Sequence, residues 1–169
     1  MKSVFSKSYR FEGPVSVIPN VVDLEELDRL ESTDLRQDLG LPSDTTVVYI
    51  PSAGSKYKGT RFVPEIIRRL TARADRPIVF FLSGDIGDQT RHELSYVTEN
   101  ARLFMPGRVT PTKNLAYVKT CSFAVSPTLI ENFSMGFLEA TMCGLPVVTF
   151  DVGGNSELII DGENGFLTP

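Results

Sequence analysis

The chain has 169 residues, 41% hydrophobic and 22% charged, with 13 glycines and 11 prolines; this fits one globular domain with one core and excludes collagen-like and disordered classes. Its 17 Lys and Arg against 21 Asp and Glu give a net charge of −4, which excludes a whole-surface grip on nucleic acid or anionic lipid and confines any anionic ligand to a local site. No apolar run approaches the roughly 20 residues of a membrane span, and MKSVFSKSYRFEG lacks the apolar centre of a signal peptide, so the chain reads as cytoplasmic.

Residues 1–14 show neither helical nor strand periodicity and read as a linker remnant or tag ahead of a domain over 15–169. From there short β-branched apolar runs alternate with segments of helical spacing. Strands are predicted at Val15–Ile18, Thr46–Ile50, Pro77–Ser83, Ala101–Met105, Ser122–Val125 and Leu145–Phe150, and the chain ends at Phe166–Pro169 just after what reads as a last short strand. Helices are predicted at Leu24–Leu30, Arg61–Ala74, Asp88–Glu99, Lys113–Lys119 and Ser134–Met142. In the second helix Phe62, Ile66, Ile67 and Leu70 form one apolar stripe, while Arg61, Glu65, Arg68 and Arg69 face away from it. Runs such as PIVFFL and LPVVTF are continuously apolar, as strands buried on both faces require. The pattern specifies a doubly wound parallel α/β sheet of about six strands, whose ligands bind outside the carboxyl ends of the strands. The loops after Ile50, Ser83, Met105 and Val125 should therefore carry the chemistry.

Cys121 and Cys143 lie in separate apolar segments with no second ligand cluster, so they read as small buried hydrophobes and not as a disulfide or metal site. His92, the only histidine, sits between Arg91 and Glu93 and reads as a solvated surface residue. The stretch Pro127–Gly144, PTLIENFSMGFLEATMCG, holds the residues best suited to chemistry. Glu131 ends a strand-to-helix loop, and Glu139 follows eight positions later inside the helix. Asn132 or Ser134 is placed to cap that helix by accepting a bond from a first-turn amide. The amides of Phe133 to Gly136 then converge ahead of the positive end of the helix dipole, which makes an anion site. Gly136 lowers helix propensity but admits a ligand or neighbouring backbone. The same residues would equally make a plain capped helix packing Met135, Leu138 and Met142 on the sheet, with both glutamates solvated. Spacing alone leaves both readings open.

From Glu131 onward the sequence resembles the C-terminal signature of the retaining GT-B glycosyltransferases, above all glycosyltransferase family 4 (group 1). The matching residues are Glu131, Phe133, Glu139, Ala140, the run Cys143-Gly144-Leu145-Pro146-Val147-Val148, the pair Gly153-Gly154, and Asp161, Gly162 and Gly165. Upstream, Ile18, Pro19, Asn20, Val22 and Asp23 resemble the start of that family's C-terminal domain, and Lys58-Gly59 its phosphate-binding Lys-Gly. Gly84-Asp85 and Gly107-Arg108-Val109 fall where the family has a Gly-containing loop and a base-proximal loop. The resemblance implies the donor-binding, Rossmann-like C-terminal half of a GT-B fold. Glu139 would accept bonds from the ribose hydroxyls of a nucleotide sugar, and Glu131 would lie by the donor sugar as the catalytic residue. Lys58 would neutralise the diphosphate beside the amides of Phe133, Ser134, Met135 and Gly136. Arg108 and Val109 would lie near the base, and Gly153 and Gly154 would keep the floor of the sugar pocket open. An ionised carboxylate suits both glutamate roles, as a pair of acceptor oxygens for vicinal hydroxyls and as a negative group near developing positive charge.

The family implies transfer of a hexose from a UDP-, GDP- or ADP-linked sugar with retention, in polysaccharide or glycolipid synthesis, without metal or cofactor. It also implies an acceptor-side N-terminal domain as partner, a whole protein that is peripheral to the membrane, and no transfer by this half alone. Three features depart from it: Ser52-Ala53 stand where Gly-Arg is usual, with Lys56 or Arg61 as substitutes whose spacing settles nothing, Asn132 and Ser134 replace the glycines flanking Phe133, and Val21 stands where a glycine usually follows Asn20, a change of turn. Nucleotide-sugar 2-epimerases share the architecture, but Glu139-Ala140 and Cys143-Gly144-Leu145-Pro146 favour the transferase. A non-catalytic module that binds sugar nucleotides is the alternative that Ser52-Ala53 keeps open. On sequence alone, a Glu131→Gln change should slow turnover and leave nucleoside diphosphate affinity nearly unaltered.

Overall fold

The computed structural model describes residues 13–96 and 101–169. Most of the tag assigned to residues 1–14, and residues 97–99 of the helix predicted to Glu99, lie outside the described residues. Two short helices come first, α1 (Leu24–Arg29) and α2 (Leu35–Asp38), each started by an aspartate, Asp23 or Asp34, that accepts a bond from a first-turn amide. Then follow β1 (Thr46–Ile50), two 3₁₀ turns (Lys56–Lys58 and Thr60–Phe62), α3 (Val63–Arg73) and β2 (Ile78–Leu82). After them come α4 (Asp88–Ser95), β3 (Arg102–Phe104), α5 (Pro111–Val118) and β4 (Phe123–Ser126). The chain closes with α6 (Met135–Met142), β5 (Val147–Phe150), α7 (Asn155–Leu158) and β6 (Gly165–Thr168).

The six strands form one sheet in the order β3-β2-β1-β4-β5-β6, and every pairing is parallel. This is the Rossmann-like, doubly wound order, in which chain direction across the sheet reverses between β1 and β4. Side chains alternate between two cores. Val47, Tyr49, Val79, Phe81, Ala124 and Val147 pack with Tyr117 and Val118 of α5 and Phe137 and Ala140 of α6. Val48, Ile50, Phe80 and Leu82 pack with Val63 and Ile67 of α3 and Leu94 of α4. Continuous apolar strands are the result, because both faces are covered.

Four expectations are corrected. Val15–Ile18 forms no strand: Val17 is 44% and Ile18 85% exposed, since a β-branched run without an adjacent strand has no ladder to join. The sixth strand is Gly165–Thr168 itself, paired to β5 in the register Val148↔Phe166. In α6 the buried side chains are Phe137, Leu138 and Ala140, whereas Met135 and Met142 are 40% and 45% exposed. The stripe on α3 shifts by one residue: Val63 and Ile67 are buried, Ile66 and Leu70 flank them, and Phe62 precedes the helix in a 3₁₀ turn. Among the described residues no helix is long and apolar enough to cross a membrane.

Candidate functional site

At the reversal point two loops are forced together. The loop after β1 turns at Gly59, whose φ of 72° is left-handed and whose missing side chain would sit 1.9 Å from the carbonyl oxygen of Pro127, in the loop after β4. Only glycine fits both demands. The same approach is fastened by the Tyr57 carbonyl, which accepts from the amides of Leu129 at 2.9 Å and Ile130 at 3.3 Å. As a result Lys58, from the first loop, donates to the carboxylate of Glu131, from the second. Glu131 is 9% exposed and Lys58 27%. The second carboxylate oxygen of Glu131 accepts from the amide of Asn132 at 3.0 Å, which fixes its orientation.

These two side chains line a cleft of about 260 Å³ together with Pro51, Ser52, Ser126, Ser134, Met135 and Gly136. Ser134 is the helix cap, accepting from the Phe137 amide at 3.4 Å; Asn132, the other candidate, is not. The first turn of α6 thus opens onto the Lys58 ammonium, a combination suited to an anion. Gly136 meets Pro51, whose Cβ would lie 3.0 Å from an added methyl group, so the glycine admits neighbouring chain. Glu139 lies one turn further along α6. Its side chain makes no hydrogen bond or ion pair among the described residues, and burial pushes its carboxyl up from the ordinary value. Tyr49 of β1 lies close enough to feel that charge, and its hydroxyl, 3.2 Å from Ser83 Oγ and 3.1 Å from Asn114 Nδ2, is raised by burial too.

Other predicted residues lie around this centre. The Phe133 carbonyl accepts from Asn20 Nδ2 at 3.4 Å, tying the N-terminal segment to the loop. Gly153 and Gly154 lie behind the loop, where added side chains would come within 1.6 Å of the Glu131 carbonyl oxygen and 2.0 Å of that of Asn132. Arg108 pairs loosely with Asp85 at 3.8 Å, both largely exposed, and neither Arg108 nor Val109 lines the cleft. Ala53 is only 2% exposed and packs in the core below α3. Lys56 and Arg61 line a separate cleft of about 480 Å³ with Gln89 and Glu93, so neither stands beside Lys58 as the sequence left open. An apolar hollow of about 280 Å³ between α3 and the β4–β6 edge, lined mainly by Phe62, Ile66, Val125, Val148 and Phe150, holds none of the predicted site residues.

Sequence reasoning missed Pro51, Ser52 and Ser126 as lining residues. Their signal was position alone, at or just past the ends of β1 and β4. Cys121 and Cys143 are free thiols packed partly buried against the core, and burial pushes Cys121 up to about 12. His92 is exposed, its ring beside Tyr96.

A parallel sheet of this order, with a lysine, a carboxylate and a helix N-terminus at its reversal point, defines a Rossmann-like class of fold. The chain belongs to the glycosyl transferases group 1 family, which residues 31–169 match. It is 28% identical over 167 residues to D-inositol 3-phosphate glycosyltransferase 2 of Catenulispora acidiphila, covering 92% of this chain and 39% of that protein. To the D-inositol 3-phosphate glycosyltransferase of Stackebrandtia nassauensis it is 31% identical over 168 residues, covering 90% and 37%. The fold is shared with Anabaena Alr3699/HepE, crystallised in complex with UDP and glucose, at a TM-score of 0.69 and 24% identity over 90% of this chain and 42% of that one. The chain thus spans well under half the length of these relatives.

Proposed function

We propose that this chain is the donor-binding domain of a retaining glycosyltransferase that moves a hexose from a nucleotide diphosphate sugar to an acceptor, in polysaccharide or glycolipid synthesis. The observation that carries this reading is the convergence of Lys58 and Glu131, from two different loops, at the capped first turn of α6. The family match and the UDP-bound relative of the same fold support it.

In this reading the Lys58 ammonium and the first-turn amides of α6 hold the diphosphate, so its charge needs no metal. Glu139, half-buried and with no side-chain partner among the described residues, takes the ribose hydroxyls on its carboxylate oxygens. Glu131 faces the sugar, where a fixed negative charge favours the positive charge that develops as the glycosidic bond lengthens. Gly153 and Gly154 act by letting the backbone of Glu131 and Asn132 seat closely, which in turn sets the position of that carboxylate. Transfer needs an acceptor held on the far side of the sugar and water kept out; the half-cleft of this chain supplies neither, so it binds donor without transferring it.

A calorimetric panel of UDP, GDP, ADP and their glucose conjugates against this chain tests the assignment. Binding of at least one diphosphate, weakened alike for every ligand by Lys58→Ala, is the expected result. Absence of binding across the panel, or indifference to Lys58, would refute the site.

A further inference from the structure

The ion pair inside the cleft has a chemical consequence for which ligand the cleft prefers. Of the residues that line it, only Lys58 and Glu131 are ionisable, and they are bonded to each other. The cleft therefore presents a nearly neutral pair where a lone lysine would present a full positive charge. The two candidate occupants differ in charge at this spot. In a nucleotide sugar the distal phosphate is a diester with one negative charge. In a free nucleoside diphosphate it is a monoester, whose second ionisation falls near pH 6, so at neutral pH it bears close to two. A phosphate oxygen bonded to Lys58 Nζ lies within about 5 Å of a carboxylate oxygen bonded to the same nitrogen. At that range, in a site that is partly solvated, one added negative charge shifts an equilibrium by about tenfold.

We infer that Glu131, through its pairing with Lys58, is a specificity-determining residue that shifts the cleft's relative affinity toward the nucleotide sugar and away from the spent nucleoside diphosphate, compared with a lone lysine. This rests on the donor reading given above. The carboxylate tolerates the neutral hexose and opposes the extra charge of the terminal phosphate, so it offsets part of the advantage that Lys58 and the first-turn amides of α6 give the product. Glu139 meets the nucleoside common to both ligands and cancels from the ratio of the two affinities. The sequence assigned Glu131 to the sugar alone; the bond to Lys58 gives it a hold on the nucleotide as well.

The test is the ratio of UDP-glucose to UDP affinity, measured by calorimetry for the unaltered chain, Glu131→Gln, Glu131→Asp and Lys58→Ala at about pH 7.5 and about pH 5.5, either side of the phosphate ionisation. Glu131→Gln should tighten both ligands at the higher pH, UDP the more strongly, and move the ratio toward UDP by about tenfold. Glu131→Asp keeps the charge and should keep the unaltered ratio, an outcome that a merely structural role would not separate from Gln. Acidification removes the extra charge of the terminal phosphate, so the ratios of the unaltered chain and Glu131→Gln should converge at the lower pH. Glu131→Ala removes the same charge and stands in if Glu131→Gln fails to fold. A ratio unmoved at the higher pH by removing the charge of Glu131, with Lys58→Ala still weakening both ligands, overturns the charge filter and leaves the donor site standing. Failure of both ligands to bind the unaltered chain overturns the two together.

Discussion

Ser52 stands where the resembled family carries glycine, and its φ of 51° is the reason a glycine suits that position. A side chain in the left-handed region costs roughly 1–2 kcal/mol, partly offset here because a glycine would loosen the unfolded chain. Ser52→Gly should therefore stabilise the fold by about 0.5–1 kcal/mol, read as a higher urea midpoint with unchanged slope. The neighbouring Ala53 differs: it is buried in the core, so an arginine placed there could not keep its charge in water without displacing that packing. Glu139 carries the opposite balance, function against stability. Burial raises its carboxyl, so its contribution to stability is full below the ordinary value and is lost as pH rises through the raised one. Glu139→Gln should be more stable than the unaltered chain at neutral pH, with the gap closing on acidification; urea midpoints across that range check it. The same carboxylate is the proposed ribose acceptor. Glu139→Ala should lose charge-assisted bonds worth about 1.5–3 kcal/mol, or roughly 10- to 100-fold in nucleotide affinity by calorimetry.

α6 and the loop before it form the element on which the site depends. The helix is eight residues long and begins at a buried serine cap, so its direction is set by the cap as much as by its apolar face. Ser134→Ala should cost about 1 kcal/mol in denaturant unfolding and weaken anion binding, because the freed Phe137 amide leaves the first turn less ordered. Behind the loop, Gly153→Ala would put a methyl group into the Glu131 carbonyl from a left-handed backbone, φ 58°. Expected is a loss of both stability and nucleotide binding, whereas Gly144→Ala, at φ 78° with open space around it, should cost stability alone. Comparing the two by thermal unfolding and calorimetry separates backbone strain from displacement of the site.

For the molecule as a whole, the reversal between β1 and β4 decides where a ligand can sit. Hydrogen exchange with saturating UDP should show added protection in the loops after β1 and β4 and the first turn of α6. The β5–β6 edge, on the far side of the sheet from β1, should be unchanged. Protection spread evenly over the sheet would instead mark global stabilisation by mass action without the proposed site.

Much of this architecture was legible from residues 46 to 150, because strand and helix periods are local properties and both faces of this sheet are covered. The place of Glu131 at the end of its loop and a cap at Asn132 or Ser134 were legible too, since a helix start is specified within a few residues. Val15–Ile18 misled, because strand formation needs a partner and four β-branched or small residues cannot reveal whether one lies alongside. Gly165–Thr168 has that partner in β5. What only the tertiary structure decided is the meeting of Lys58 with Glu131, 73 positions apart, and the use of Gly59, Gly153 and Gly154 as contact points for other loops. Those contacts follow from which strands become neighbours, and strand order is set by the packing of the whole sheet, not by any local run of sequence.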